Sequence, residues 1–249
     1  MDNKKNILIG GITGGIGSAL AKRLHEGGHS VAGFARAEEK SANFQKETGI
    51  ETRVCDATDP DAVEETISEL VENLGGFDAY VHAIGSIFIK PAHLTQAKDW
   101  DRTLLLNLSS AFFALRVTAK KMQKQGYGSN LFFSTAAAQT GIANHEAIAA
   151  AKGGIEAMVR SAAATYSSRG LRFNAIAPSL TDTPLAQPII GSEQALEISK
   201  RMHPLGDITH TDDVASLAEW LLSDHAVGVT GQTFVIDGGL SSVVPKPRA

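Results

Sequence analysis

The sequence has 249 residues, of which 43% are hydrophobic and 20% charged, and this ordinary globular composition excludes a disordered or collagen-like chain. A net charge of −4 argues against binding to a nucleic-acid backbone, and the single cysteine, Cys55, excludes an internal disulfide and a cysteine-rich zinc module. Because no apolar run approaches about 18 residues, we expect neither a membrane span nor a secretory signal, and therefore a cytoplasmic location.

Short apolar runs rich in β-branched residues alternate along the chain with longer segments of helical periodicity. The runs predict strands at residues 7–9, 30–34, 51–55, 79–83, 130–134, 172–177 and 233–236. Between the third and fourth strands, residues 59–74 predict a helix that begins at Pro60 and ends before Gly75. Repeated alternation requires crossover connections, so we predict an α/β fold with a parallel sheet covered by helices on both faces. With no linker-like change in composition, residues 1–249 are predicted to form a single domain.

The densest glycine cluster follows the first predicted strand, in the segment Gly10-Gly11-Ile12-Thr13-Gly14-Gly15-Ile16-Gly17. Glycine here permits a tight turn and a close approach of the backbone to a pyrophosphate. The helix that follows offers free N–H groups and the positive end of its dipole to the phosphates. The segment therefore predicts a dinucleotide site. Its expected contacts are Gly11, Thr13, Gly14, Gly15, Ile16 and Gly17.

The glycine spacing resembles the phosphate loop of the short-chain dehydrogenase/reductase family, with Gly10 where the family usually has threonine. Further matches follow in order along the chain: Val54-Cys55-Asp56, Asn107, Asn174-Ala175-Ile176-Ala177-Pro178, Thr181-Asp182-Thr183, Thr230-Gly231-Gln232 and Asp237-Gly238-Gly239. Two further segments depart from the family pattern. Ser179 replaces the usual glycine after proline, and the segment before Gly85 has lost both asparagines of the family's Asn-Asn-Ala-Gly.

This resemblance implies a Rossmann-type, doubly wound sheet of seven parallel strands in the order 3-2-1-4-5-6-7. It also implies a nicotinamide cofactor, a small-molecule carbonyl or alcohol substrate, and a homotetramer or homodimer. The cofactor contacts that it implies outside the glycine cluster are Asp56, Ala57, Ala83, Gly85, Lys152, Pro178, Thr181 and Thr183.

The end of the second strand bears on the choice between NADP and NAD. An acidic residue there would bind the ribose hydroxyls of NAD and repel the 2′-phosphate of NADP. This position falls on Ala35, and the next residue is Arg36, whose guanidinium can pair with a phosphate. We therefore expect NADP, with NAD as the alternative. The competing interpretation is that Arg36 is a solvated loop charge, since Glu38 and Glu39 follow closely.

The catalytic segment departs from the family at one decisive position. Family members use a Tyr-x-x-x-Lys pair on one helix, and the resemblance places the lysine at Lys152. Four residues earlier stands Ile148, and none of the three tyrosines of the chain has a lysine four residues after it. The hydroxyl that orients the carbonyl falls at Thr135 and the helix-four asparagine at Asn107. Because isoleucine cannot donate a proton, the usual tyrosine mechanism cannot operate.

A substitute proton donor has to share the helix face of Ile148 and Lys152. His145 lies three residues before Ile148, which is the same face if the helix has begun there. Because imidazole in general titrates near pH ~6.5, we hypothesise that His145 delivers the proton through a water held near Thr135 and Asn107. The competing interpretation is a surface histidine in the first helical turn.

We therefore expect an NADP(H)-dependent oxidoreductase that acts on a carbonyl compound or a secondary alcohol with an altered proton donor. Two alternatives stay open: a cofactor-binding protein without redox turnover, such as a sensor, and a non-redox enzyme that uses the same pocket. Residues 185–205 fall where the family carries its substrate lid. Because the chain shows no metal-ligand spacing, we expect no metal, and we expect no nucleic-acid or membrane partner.

Overall fold

The computed structural model describes residues 3–244, so residues 1–2 and 245–249 of the predicted domain lie outside the described chain. Its parallel strands form one sheet in the order β3-β2-β1-β4-β5-β6-β7, which confirms the expected order. The strands are β1 (Asn6–Gly10), β2 (Ser30–Ala35), β3 (Glu51–Val54), β4 (Ala79–His82), β5 (Gly128–Phe133), β6 (Leu171–Pro178) and β7 (Thr233–Ile236). Each end lies within two residues of its predicted position. The five inner strands are almost entirely buried, as expected of a parallel sheet covered on both faces, whereas the edge strands β3 and β7 are partly exposed.

Helices connect the strands and cover the sheet. They are α1 (Gly15–Glu26), α2 (Glu38–Thr48), α3 (Pro60–Asn73), α4 (Ala97–Leu104), α5 (Ser110–Gln125), α6 (Glu146–Tyr166), α7 (Gln187–Ile190), α8 (Glu193–Met202) and α9 (Thr211–Leu222). A π-helical turn, Leu105–Ser109, joins α4 to α5. The predicted helix between β3 and β4 is α3, and Asp59 caps it by accepting hydrogen bonds from two backbone N–H groups of its first turn.

Two apolar layers pack against the opposite faces of the sheet. In β1 the side chain of Leu8 belongs to the layer under α3, α5 and α6, whereas Ile7 and Ile9 belong to the layer under α1 and α9. This alternation follows from the two-residue period of a strand. Each fully buried Leu or Ile contributes about 1.5–3 kcal/mol of hydrophobic stabilisation. Helices therefore cover both faces, as predicted.

The carboxyl ends of the strands form the functional edge of the sheet. The chain leaves β1 into the glycine cluster, β5 into Ser134 and Thr135, and β6 into Ser179. The strand order reverses between β1 and β4, and in open α/β sheets this switch point opens a crevice at the carboxyl edge. The fold therefore brings the sequence motifs together at one place.

Candidate functional site

A cavity of about 640 Å³ lies at the carboxyl edge of the sheet. Its wall runs from the glycine cluster past Ala83 and Gly85 to Thr135 and Lys152. Residues of the segment 185–205 line it as well, among them Leu185, Ile189 and Met202. The cavity therefore joins the predicted phosphate turn to the predicted catalytic residues.

The glycine cluster has the geometry of a phosphate cradle. Gly11 has a left-handed φ of +83°, and a Cβ there would lie 2.6 Å from the carbonyl oxygen of Ala83. A Cβ on Gly15 would lie 2.6 Å from Cγ2 of Thr183, and one on Gly17 would collide with the carbonyl oxygen of Gly11. Helix α1 begins at Gly15 with no side chain capping it, so its first N–H groups can bind an anion. These residues fit the pyrophosphate of a dinucleotide.

Two cationic side chains, Arg36 and Lys40, follow β2, and only one of them lines the cavity. Ala35 is buried, and Arg36 is exposed and lies outside the cavity wall. Lys40, one helical turn further along in α2, does line the cavity beside the glycine cluster. Lys40 was not predicted, since Arg36 precedes the helix and no local pattern distinguishes Lys40 from the other charges of α2.

Asp56 and Ala57 follow β3. The Asp56 carboxylate accepts hydrogen bonds from the backbone N–H of Thr58 at 2.9 Å and from its hydroxyl at 2.7 Å, and these bonds lower the pKa of Asp56. Ala57 packs into the apolar core. Only the backbone of Ala57 is therefore available to a ligand.

Lys152 is buried at the centre of the site. Its Nζ donates a hydrogen bond to the carbonyl oxygen of Phe133 at 2.9 Å, and burial lowers its pKa to about 8. A Cβ on Gly85 would lie 3.1 Å from this Nζ and 2.9 Å from Oδ1 of Asn107. Glycine at position 85 thus lets the β4 loop pass close to both side chains.

Thr135 stands on a short turn that is fastened to α6. Its Oγ1 accepts a hydrogen bond from the N–H of Ala137 at 3.3 Å, a contact that uses an oxygen lone pair and leaves the hydroxyl proton for a ligand. Next to it, the Ser134 hydroxyl donates to the buried Glu156 carboxylate at 2.6 Å, and Gln139 donates to the other oxygen of Glu156. Glu156 therefore holds both sides of the segment that carries Thr135.

Asn107 lies behind the cavity wall in the π-helical turn. Its Oδ1 accepts from the N–H of Ser86 at 2.9 Å, and its Nδ2 donates to the hydroxyl of Ser86 and to the carbonyl oxygen of Thr103. The side chain is fully buried. Its amide therefore secures the β4 loop, and the contact with the cavity is made by Ser86.

Ile148 lies on α6 four residues before Lys152 and lines the cavity. His145 was expected to share the helix face of Ile148 only if the helix already included it. Helix α6 begins at Glu146 and His145 is its non-helical N-cap, so this condition is not met. The imidazole nevertheless lines the cavity, and its Nδ1 lies 2.7 Å from the carbonyl oxygen of Ala143. Since a carbonyl only accepts, Nδ1 carries the proton and Nε2 is the atom that can exchange one.

No tyrosine lines the cavity within residues 3–244. Tyr80 is buried in the core, where its hydroxyl lies 2.9 Å from Nδ1 of His82. Nε2 of His82 lies 3.1 Å from the hydroxyl of Ser110, which donates to the carbonyl oxygen of Leu106. Burial, together with the charge of Lys152, lowers the pKa of His82 to about 3. His82 is therefore a neutral structural side chain.

The structure brings twelve of the expected site residues onto one cavity wall: Thr13, Gly14, Gly15, Ile16, Ala83, Gly85, Thr135, His145, Lys152, Pro178, Thr181 and Thr183. Six others lie outside the wall: Gly11, Gly17, Arg36, Asp56, Ala57 and Asn107. Ser179 and His203 also line the cavity and were missed. The only signal for them in the sequence is Ser179 itself, where the family usually has glycine.

Residues 3–244 contain neither a membrane-spanning helix nor a metal-binding cluster. No helix there combines the length and the apolar character that crossing a membrane requires. In the same range, no group of three or more His, Cys, Asp or Glu side chains is placed to hold a metal ion.

Comparison with known proteins agrees with this geometry. A family model described as enoyl-(acyl carrier protein) reductase matches residues 11–241. The 2-(S)-hydroxypropyl-CoM dehydrogenase 3 of Xanthobacter autotrophicus is 31% identical, over 98% of this chain and 100% of its own. A short-chain type dehydrogenase/reductase from Mycobacterium ulcerans superposes with a TM-score of 0.92 at 28% identity, over 97% of this chain and 91% of that one.

The chain belongs to the short-chain dehydrogenase/reductase family. The protein is an oxidoreductase, since the relatives of this short-chain dehydrogenase/reductase are named dehydrogenases and reductases. Another similar structure is that of ElxO with NADP bound, with a TM-score of 0.91 at 26% identity over 97% of this chain and 100% of that one. A nicotinamide cofactor therefore fits both the family and the cradle at Gly11–Gly17.

Proposed function

We propose that this short-chain dehydrogenase/reductase is an NADP(H)-preferring enzyme that interconverts a carbonyl compound and a secondary alcohol with a proton donor other than tyrosine. The observation that carries the proposal is the single cavity that joins the glycine cradle to Thr135 and Lys152. Its walls from residues 185–205 are largely apolar and support a moderately hydrophobic small-molecule substrate, with this segment as the lid.

The preference for NADP rests on charge at the end of β2. Ala35 has no carboxylate to repel a 2′-phosphate, Arg36 follows it directly in the loop before α2, and Lys40 of α2 lines the cavity. A charge-assisted hydrogen bond contributes about 1.5–3 kcal/mol, which is roughly 10–100-fold in affinity. We therefore expect Arg36→Ala to weaken NADPH binding by that factor and to leave NADH binding unchanged.

NADPH fluorescence titration measures this difference. Lys46→Ala, which removes an exposed lysine from the last turn of α2, is the matched control and should change neither affinity. If Arg36→Ala weakens NADPH and NADH equally, or weakens neither, the assignment of NADP is wrong.

When bound, the nicotinamide exchanges a hydride with the reacting carbon. The chain's own residues then have three tasks. Lys152 donates to the ribose hydroxyls, Thr135 donates its hydroxyl proton to the reacting oxygen, and His145 exchanges a proton with that oxygen through Nε2, directly or through a water. Reduction of a ketone requires His145 as the imidazolium, and oxidation of an alcohol requires it as the neutral imidazole.

Removal of the imidazole tests the role of His145. We expect His145→Ala to lower kcat for a verified ketone substrate by about 10²–10⁴-fold and to leave NADPH affinity unchanged. His93→Ala, at an exposed histidine outside the cavity wall, is the control. Unchanged turnover in His145→Ala would refute the role of His145, and turnover that appears only in Ile148→Tyr would favour the cofactor-binding protein without redox chemistry.

We further propose that the protein is a homotetramer or a homodimer and that it is located in the cytoplasm. Trp100, Leu105 and Phe112 lie along α4, the π-helical turn and α5 and are 39%, 41% and 51% exposed, which supports a subunit contact on this face. Light scattering coupled to gel filtration measures the mass, and a stable monomer would contradict this part of the proposal.

A further inference from the structure

A cluster of three polar side chains stands at the cavity wall, between β6 and the end of α8; His203 and Thr209 are buried, and Ser179 is partly exposed. The imidazole of His203 is 3% exposed, and its Nδ1 lies 2.7 Å from the carbonyl oxygen of Ser199. Its Nε2 lies 2.8 Å from the hydroxyl oxygen of Ser179. Thr209 adds a third member, with its hydroxyl 2.8 Å from that of Ser179. Ser179 and His203 line the cavity.

The contacts determine where the protons lie. A carbonyl oxygen only accepts, so the proton of a neutral His203 sits on Nδ1 and points at Ser199. Nε2 is then an acceptor, and the hydroxyl proton of Ser179 points at it. The Ser179 oxygen then accepts the hydroxyl proton of Thr209 through one lone pair and is left with the other. Towards the cavity it can accept a hydrogen bond and cannot donate one.

The composition of the cavity wall indicates what Ser179 can contribute to ligand binding. Nearby parts of the wall are apolar and include Ile142, Ile148 and Ile189. Ligand pockets of this kind obtain their specificity from a few fixed polar groups. The hydrogen bonds among these three side chains already offset the cost of their desolvation, so only a ligand that brings its own donor gains a further hydrogen bond, to the remaining lone pair of Ser179.

We propose that Ser179, held by His203, is an acceptor-only position that selects a ligand with an uncharged hydrogen-bond donor, O–H or N–H. The donor has two sources: a second hydroxyl of the substrate or the carboxamide of the nicotinamide. The inference rests on the proposed function only in treating the cavity as the shared site of substrate and cofactor. Ser179 is then a specificity-determining residue, and His203 positions its proton.

The orientation of His203 is tested first, by two-bond ¹H–¹⁵N spectra of the histidine rings in the ligand-free protein at pH 8.5. We expect the His203 signals of an Nδ1–H tautomer, assigned by their loss in His203→Gln. In Ser179→Ala the Nε2 resonance should shift because its donor is gone. Ser199→Ala is the matched control: it removes only a hydroxyl that bonds to Ala195, keeps the carbonyl, and should leave the ring signals in place. An Nε2–H tautomer or an imidazolium would overturn the proposal.

The ligand is tested with a matched pair of ketones, 4-hydroxy-4-methylcyclohexanone and 4-methoxy-4-methylcyclohexanone, which bind to the NADP⁺ complex without turnover because neither carries an alcohol that can be oxidised to a ketone. If the substrate supplies the donor, the wild type binds the hydroxy ketone at least about fivefold more tightly, and Ser179→Ala loses the difference. Ser68→Ala, which removes a hydroxyl on α3 outside the cavity wall, keeps the difference. If the carboxamide supplies it, Ser179→Ala weakens NADPH binding by a similar factor and neither ketone is preferred. If Ser179→Ala changes neither quantity, the proposal is wrong. Failure of the wild type to bind NADPH would instead refute the proposed function.

Discussion

Burial of Lys152 makes the stability of the ligand-free protein depend on pH in a window that ordinary lysines do not affect. The side chain is 7% exposed, and burial lowers its pKa from 10.5 to about 8. Below pH 8 the lysine is charged in both the folded and the unfolded protein. Between pH 8 and 10.5 only the unfolded protein holds the proton, so unfolding takes up a proton and the free energy of unfolding rises with pH.

The size of this effect follows from the shift. A difference of about 2.5 pH units, at 1.36 kcal/mol per unit, amounts to about 3 kcal/mol of destabilisation that is present below pH 8 and gone above pH 10.5. The reference is Lys152→Met, which keeps the length of the side chain and removes the charge. We expect the wild type to gain about 3 kcal/mol relative to this variant between pH 8 and pH 10.5.

Urea unfolding followed by tryptophan fluorescence measures the free energy at pH 7, 8, 9 and 10. Lys46→Met, at an exposed lysine, should run parallel to the wild type throughout. If the difference between wild type and Lys152→Met is flat across this range, or falls with pH, the assignment of a desolvated ammonium group at position 152 is wrong.

Two further predictions concern His82 and Gly15. Because the pKa of His82 is about 3 when folded and 6.5 when unfolded, unfolding takes up a proton as the pH falls, and the wild type should lose up to about 5 kcal/mol relative to His82→Asn between pH 6.5 and pH 3. Gly15→Ala places a methyl 2.6 Å from Cγ2 of Thr183, so it should displace Thr183 and weaken NADPH binding by about tenfold or more.

One experimental result would contradict each of these two predictions. Parallel acid-unfolding curves for the wild type and His82→Asn would show that His82 is solvated in the folded protein. For Gly15, the control is Gly228→Ala, where an added Cβ meets no atom within 4 Å. Equal NADPH affinity in the Gly15 and Gly228 variants would mean that the cradle tolerates a side chain at its centre.

Local sequence patterns were enough to predict the scaffold and the phosphate turn. Strands such as β7 are short apolar runs whose limits are marked by turn residues, and α3 has its cap and its proline in the sequence itself. The turn at Gly11 needs a left-handed φ, which glycine adopts at no steric cost. Features of this kind depend on neighbours within a few residues, so they can be recognised without the fold.

Other parts of the site depend on contacts between distant residues. His145 lines the cavity as an N-cap and not through helix periodicity, because the chain adopts a left-handed φ of 66° at Asn144 just before it. Lys40 is one of several charges along α2, and only the packing of this helix beside the glycine cluster brings it to the cavity. Sequence spacing by itself could not separate these residues from ordinary surface charges.

The sequence by itself determined the sheet order, through resemblance, and the dinucleotide turn, and it shows that the residue four positions before Lys152 is Ile148. Only the tertiary structure decided that Lys152 is desolvated, that His82 is neutral and that Ser179 meets His203 from 24 residues away. The physical reason is that an ionisable or polar side chain takes its properties from burial and from hydrogen-bond partners, and in this fold those partners come from other strands and helices.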